Sequence, residues 1–204
     1  LLKDNTLFLH IGVTLYEVIV SFIIATLIGF ITATILWSNK VIAKIIDPYL
    51  TILNSLPKVA LGPLIIIWVG ASTNSIIFMA LLISIFVTTI TIYQGFANTN
   101  KSYITLLKSL GATKKQIFIK AILPSNVPTL ISALKINISM SLIGVIMGEL
   151  LVSKSGLGYL IMYGSQVFNI NLVITGVVIL GIISYIMYFM IDTLENYCKK
   201  KRGA

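Results

Sequence analysis

The sequence predicts an all-α polytopic membrane protein, and three observations carry that expectation. Apolar residues make up 57% of the 204 residues, where soluble domains run at about 45–50%. Charged residues make up 10% against a usual level of about 25%, too few to wet the surface of a globular domain of this length. Residues 18–39, 59–100 and 155–191 contain no charge at all, and each can hold a span of about 20 apolar residues. An ordinary soluble enzyme and a disordered tail are thereby excluded. The net charge of +9 points to membrane topology and not to nucleic acid, because the lysines cluster in short segments between apolar runs. The single cysteine, Cys198, allows no internal disulfide and indicates no metal site.

Five spans follow in order. The first covers residues 11–38, with Glu17 near its start and Trp37 near its end. The second covers 44–70. The third follows the turn Gly70-Ala71-Ser72-Thr73-Asn74 and ends near Asn98. The fourth covers 125–152, with Ser125 as its cap and Pro128 in its first turn, and the fifth covers 171–195. If the spans alternate, Lys40, Lys44, Lys101, Lys108, Lys114, Lys115, Lys120, Lys199, Lys200, Lys201 and Arg202 share one side, and only Lys3 and Lys154 lie on the other. The positive-inside rule makes the first side cytoplasmic, so the C-terminus is inside and the visible N-terminus outside. A chain starting in the cytoplasm then needs one more span before Leu1, and a fragment lacking that first helix is expected. Lys3 and Asp4 precede a run longer than a signal-peptide h-region, and no cleavage site follows. Trp37, Trp68, Tyr93, Tyr159 and Tyr197 fall near span ends, as an aromatic belt places them.

The second span is broken. Pro48, Pro57 and Pro63 interrupt it, with Gly62 beside the last. Proline removes a donor and frees a carbonyl one turn back, and inside a bilayer such groups need protein or cavity water. The segment therefore either lines a pathway or is kinked for packing. Asn54, Pro57 and Lys58 are path candidates on the first reading. An intramembrane lysine is a functional candidate, though Lys58 reaches the interface if the segment is re-entrant.

The loop 99–124 has more pattern than a connector. Tyr103, Ile104, Leu107 and Leu110 have helical spacing, and Gly111 stops the helix. Thr113-Lys114-Lys115-Gln116 has the form of a capping box that starts a second short helix. Ile117, Phe118 and Ile122 are its apolar residues, and Pro124 is expected to end it. Lys114 and Lys115 stand in its first turn, where the helix dipole disfavours them. A helix resting on lipid headgroups and a helix shaped for a partner both fit this pattern.

The string Leu110-Gly111-Ala112-Thr113-Lys114-Lys115-Gln116, then Ala121-Ile122-Leu123-Pro124-Ser125-Asn126-Val127-Pro128, resembles the cytoplasmic loop of binding-protein-dependent ABC transporter permeases. His10 with Thr14-Leu15, Asp47-Pro48, Leu56-Pro57 with Pro63 and Trp68-Val69-Gly70, and Ser155-Gly156-Leu157-Gly158-Tyr159-Leu160-Ile161 extend the resemblance. It covers residues 10–195 and is nearest the nitrate, sulfonate, taurine and thiamine-precursor branch. Two departures stand out. Thr105 occupies the position where the family usually carries a glutamate, and Leu106 and Leu107 replace the small pair after it.

The resemblance implies a type I ABC importer permease domain over 10–195, a coupling loop over 99–124 within it, and a basic cytoplasmic tail over 196–204. Leu107, Leu110, Gly111, Ala112, Thr113, Gln116, Leu123 and Pro124 are the coupling candidates it marks. It implies cytoplasmic ABC ATPase subunits that carry ATP and Mg, an extracytoplasmic substrate-binding protein and a second permease copy, in a bacterial-type plasma membrane. ATP-driven closure of the ATPases would move the loops and switch access of the path. The chain itself is then a transport subunit and not an enzyme, for a small soluble nutrient such as an organic or inorganic anion or a vitamin precursor.

The fourth span carries a small and polar stripe of Ala133, Asn137, Ser141, Gly144 and Gly148. The two glycines form a small-xxx-small pair for close packing, while Asn137 and Ser141 either pack or face the path. Lys135 is expected to extend toward the cytoplasm. Glu149 lies about 36 Å along the helix from Ser125, at about 1.5 Å per residue, and is expected to be hydrated at the outer surface. His10 is expected at the interface, and Cys198 as an idle thiol. Residues 148–155 lack the second glycine and the strand of a phosphate loop. An ATPase-independent channel or secondary transporter is the rival function, against which the ordered loop argues. A membrane-embedded enzyme would need paired carboxylates or a histidine cluster within the spans, and Glu17, Lys58, Lys135 and Glu149 are far apart in sequence.

Overall fold

The protein is seen in a computed structural model that describes residues 6–201. Lys3, Asp4 and Arg202 lie outside the described residues, as do the side chains of Lys199, Lys200 and Lys201. In chain order the elements are α1 (Thr6–Ser38), α2 (Lys40–Ser55), a 3-10 turn (Lys58–Leu61), α3 (Gly62–Val69), α4 (Thr73–Ala97), α5 (Lys101–Ser109), α6 (Lys114–Ile117), a π turn (Phe118–Ile122), α7 (Leu123–Ser125), α8 (Val127–Val152), α9 (Leu157–Gln166) and α10 (Ile170–Lys201). No strand occurs among the described residues. The expected all-α membrane fold is the one observed.

Helices α1, α4, α8 and α10 are each long and apolar enough to cross a membrane. The pair formed by α2 and the segment Lys58–Val69 passes the same test together, bent by 81°. Counted as one broken span, it makes five. With no water in the bilayer core, a helix satisfies its own backbone, and its exposed face can remain apolar. Helix α1, at 33 residues, is about 49 Å long at about 1.5 Å per residue, more than the hydrocarbon thickness of about 30 Å.

Helix α4 is the centre of the bundle, with α1 and α8 packed along it. Small residues permit this. A Cβ on Gly144 would stand 2.5 Å from Ala80 Cα, and one on Gly148 would stand 2.9 Å from Ile76 Cγ2. The glycine pair therefore acts in close helix packing, as its spacing suggests. On α1 the buried stripe Ser21, Ala25, Gly29 and Ala33 is small throughout, and a Cβ on Gly29 would meet Thr88 Cγ2 at 3.0 Å. Buried hydroxyls return to their own helix: Ser84 donates to Ala80 O at 2.8 Å and Thr88 to Ser84 O at 2.8 Å.

The second span differs from expectation. It starts at Lys40, where Asn39 Oδ1 accepts from the amides of Val41 at 3.0 Å and Ile42 at 3.2 Å. Pro48 lies inside α2 without breaking it, and Pro63 sits in the first turn of α3. Only Pro57 interrupts the chain: Leu56 before it is extended, with φ −63° and ψ 141°. That is the conformation a following proline imposes.

Inserting volume at the α4–α8 contact should be felt at once. Gly144→Val is expected to destabilise the detergent-purified protein by at least the overpacking range of about 1–3 kcal/mol. Gly12→Ala, where no atom lies within 4 Å of the added Cβ, should not lower the melting temperature in the same thermal-unfolding assay, since alanine is the better helix former.

Candidate functional site

The loop between α4 and α8 is built from two interlocking local motifs. Asn100 Oδ1 accepts from the Ser102 amide at 2.9 Å and starts α5. Helix α5 then ends in a Schellman turn. The Gly111 N–H donates to Lys108 O and the Ala112 N–H to Leu107 O, each at 3.0 Å. Gly111 has φ +76°, a conformation glycine adopts without the Cβ penalty. The expected capping box follows directly. The Thr113 N–H donates to Gln116 Oε1 at 2.8 Å, and the Gln116 N–H donates to Thr113 Oγ1 at 3.3 Å.

Pro124 does not end the second helix, contrary to expectation. Residues 114–125 run on through α6, the π turn and α7. The π turn closes with the Leu123 N–H donating to Phe118 O, one residue before the position where proline has no N–H to give. The break falls at Asn126, with φ −102° and ψ 9°, and this residue, not Ser125, occupies the cap position of α8. The Asn126 amide instead donates to Thr99 Oγ1 at 2.6 Å and Ile122 O at 2.8 Å, tying the two roots of the loop together.

One face of the loop is welded to the bundle. Ile117 and Ile122 are buried with Ala33 of α1 and Ile92 and Phe96 of α4. The Phe118 ring lies 5.0 Å from Trp37 and 5.5 Å from Phe96, centroid to centroid. Leu107 and Ala112 pack against the same cluster. The opposite face is open: Tyr103, Leu106 and Leu110 are exposed, Leu110 at 73%. Gly111, Thr113, Gln116 and Pro124 are also exposed, and Leu123 is half-buried. Between the loop and the α1–α2 junction lies an open cavity of about 880 Å³, whose rim carries Lys40, Lys44, Lys101, Lys108 and Lys114 with Asp47.

The path candidates fall in two separate places. At the break of the second span, Lys58 Nζ donates to Asn54 O at 3.1 Å and Asn54 Oδ1 at 3.0 Å, and stands 5.4 Å from the Phe86 ring centroid. Asn54 and Lys58 thus hold each other across the break next to Pro57. Asn137 is fully buried. Its amide donates to Phe22 O at 3.1 Å and Thr26 Oγ1 at 2.7 Å on α1, and Ser141 Oγ donates to Asn137 Oδ1 at 3.4 Å. These two residues face α1 and not an open channel within this chain.

Two expectations are corrected and one gains partners. Lys135, expected to extend toward the cytoplasm, is ion-paired: its Nζ meets Asp192 Oδ1 and Glu195 Oε2 at 2.5 Å each, beneath the Tyr188 ring at 4.9 Å. Its partners lie far along the chain, and the only hint in the sequence is an acid pair three residues apart on α10. Glu149 is not hydrated but 1% exposed, because α9, an element not anticipated from the sequence, folds back over it. His10 is not a simple interfacial group. Its Nδ1 accepts from the Gly156 N–H at 2.9 Å, and its ring stacks on Tyr159 at 5.8 Å.

The burial of Glu149 and the engagement of His10 share one cause. A helix leaves its first amides without partners, and α9 gives its leading three to other elements. Gly156 donates to His10, Leu157 to Thr14 Oγ1 at 2.8 Å, and Gly158 to Glu149 Oε2 at 2.5 Å. Thr14 in turn donates to Glu149 Oε1 at 2.6 Å. A Cβ on Gly158 would lie 2.7 Å from Glu149 Cβ, so the carboxylate reaches the helix end only because that residue is glycine.

Residues 25–201 match the family described as binding-protein-dependent transport system inner membrane component. A Haemophilus influenzae protein named "Probable ABC transporter permease protein" is 33% identical, over 91% of this chain and 76% of its own length. The formylaminopyrimidine transport permease protein ThiX of Halalkalibacterium halodurans is 28% identical, over 96% of this chain and 78% of its own. The taurine transport system permease protein TauC of Escherichia coli is 23% identical, over 95% and 70%. A chain of the inward-facing MetNI methionine ABC transporter superposes with a TM-score of 0.83 at 22% identity, covering 95% of this chain and 96% of that one. That likeness concerns the fold.

The capping box gives a local prediction. Thr113→Ala removes the acceptor for the Gln116 amide and should cost about 1 kcal/mol at the start of α6. Hydrogen exchange of the Gln116 amide should accelerate several-fold, while amides in α4 and α8 keep their protection.

Proposed function

This chain belongs to the binding-protein-dependent transport system inner membrane component family, and we propose that it works as a lever-bearing half of an importer. It is the permease component of an ABC importer. On our reading, two copies form the translocation path and each presents its α5–α7 loop to a separate ATPase subunit that holds ATP and Mg. A binding protein on the far side delivers a small soluble nutrient. Relatives named for taurine and formylaminopyrimidine transport favour an organic anion or a vitamin precursor. The basic residues of the loop, the α1–α2 junction and the C-terminal tail favour a cytoplasmic loop and C-terminus.

The observation that carries this reading is the two-sided loop. Ile117, Phe118 and Ile122 anchor it to α1 and α4, while Tyr103, Leu106 and Leu110 stand exposed on it. A loop free to flex would dissipate a push from a partner. One joined by the Schellman turn, the capping box and the aromatic contacts of Phe118 transmits it. The exposed apolar residues supply the contact, in the way an aliphatic or aromatic anchor fills a partner's pocket.

Gly111 is the point to test. An added side chain there meets nothing within 4 Å, so Gly111→Trp is strained by about 1–2 kcal/mol but not crowded within this chain. It should insert into the membrane normally, lose co-purifying ATPase and reduce uptake at least tenfold. Gly111→Asn, which tolerates the left-handed conformation and is small, should recover most uptake. Unchanged uptake by the tryptophan variant would overturn the docking assignment.

A further inference from the structure

At the end of the bundle opposite the loop, two acids from distant parts of the chain are buried together. Glu17 of α1 is 0% exposed and Glu149 of α8 is 1% exposed; Thr14, one turn before Glu17 on α1, donates to Glu149 Oε1, which brings the two acids side by side, close enough to interact. Their surroundings are unequal. Glu149 accepts from Thr14 Oγ1 and from the Gly158 N–H at the start of α9, and the positive end of that helix favours its negative charge. Neither oxygen of Glu17 lies in hydrogen-bonding geometry with any donor. Thr73, at the start of α4, is its other polar neighbour.

A carboxylate only accepts hydrogen bonds, so two ionised carboxylates facing each other leave a buried charge unanswered and repel. Something positive must stand between them. No basic side chain does so among the described residues. Helix α4 carries no charged residue, and α9 carries only the phenols Tyr159 and Tyr163 as titratable groups. His10 on α1 engages Gly156. Lys58 engages Asn54, Lys135 engages Asp192 and Glu195, and Lys154 is exposed. On its α9 side Glu149 is closely packed: a Cβ on Gly158 would come within 2.9 Å of Glu149 Oε2. The group that fits the space is a proton.

We propose that Glu17 is a neutral carboxylic acid that donates its proton to the ionised Glu149, forming a one-proton clamp between α1 and the α8–α9 junction. The atoms balance simply: one hydrogen on a Glu17 oxygen, shared toward a Glu149 oxygen, with one net negative charge on the pair. Thr14 and Gly158 supply two further donors to Glu149. The clamp gives the buried pair the donor that its geometry lacks. It also makes the α1 contact dependent on a proton, since withdrawing it would leave two like charges face to face. This inference stands apart from the loop assignment and does not depend on which nutrient is carried.

Infrared spectroscopy of the full chain in lipid nanodiscs tests it. At neutral pH the wild-type protein should show the carbonyl stretch of one buried protonated carboxylic acid per chain. The band should shift when the protein is grown with glutamate carrying carbon-13 in its side-chain carboxyl, and persist after metal chelation. The chain has three glutamates, Glu17, Glu149 and Glu195, and the last is ion-paired with Lys135. Glu17→Gln should abolish the band yet keep the fold, because the amide supplies a donor to Glu149 without needing a proton. No protonated-glutamate band in the labelled wild type, or a band that disappears only when sodium or calcium is added, would overturn the proposal. The labelled wild-type spectrum decides the question even if the variant does not fold. A band that survives Glu17→Gln unchanged would also overturn it.

Discussion

The close approach of α8 and α1 to α4 is the constraint on which the other features rest. Lipid tails are as apolar as leucine, so apolar side chains gain little by leaving lipid for another helix. Association then depends on contact and polar bonds. At Gly144 the backbone of α8 comes so near Ala80 that no side chain fits, and Gly148 meets Ile76 in the same way one turn later. On the other side of α4, Gly29 brings α1 against Thr88. With three helices held this closely, the positions of their ends follow. The α5–α7 loop grows from the ends of α4 and α8 at one side, and α9 folds back beneath α1 at the other.

Polar groups then tie these helices at fixed levels. Near the middle Asn137 bridges α8 to α1. Lys135 binds the acid pair of α10. At the far end the amides of Gly156, Leu157 and Gly158 are taken by His10, Thr14 and Glu149. At the loop end Asn126 joins Thr99 to Ile122. In a medium with no competing water each such bond is expensive to leave unmade, so together they specify one arrangement of helices. A loop welded to that arrangement by Phe118 and Ile122 is suited to pass force into it.

How much was legible in the sequence depended on how local the cause was. The capping box at Thr113 and the glycine turn at Gly111 are decided within six residues, and both appear as expected. The spans were legible because apolar length is a property of one segment. The misjudged residues have partners elsewhere in the chain. Glu149 was assigned to water because its helix reaches the bundle end, but the fate of that end is decided by α9. The glycines that let α9 approach, Gly156 and Gly158, look like ordinary loop residues in one dimension. The ion pairs of Lys135 leave no local sign, because Asp192 and Glu195 belong to another helix. Pro48 was counted as a break although a proline can be accommodated within a helix, and it was the extended Leu56 before Pro57 that separated the two halves of the second span. The pairing of Glu17 with Glu149 had no signal in the spacing, since only the fold brings the two together.

The α5–α7 loop is held as one body with the loop-side ends of α1 and α4. Pulsed electron paramagnetic resonance can test it, with spin labels at the exposed positions Ser38 and Ser109 of a single copy, in a Cys198→Ser background within the assembled transporter. The same narrow distance distribution between the two labels is expected in the nucleotide-free and ATP-trapped states. A distribution that broadens or shifts on ATP binding would mean that the loop flexes on its root and does not move as one body with the bundle.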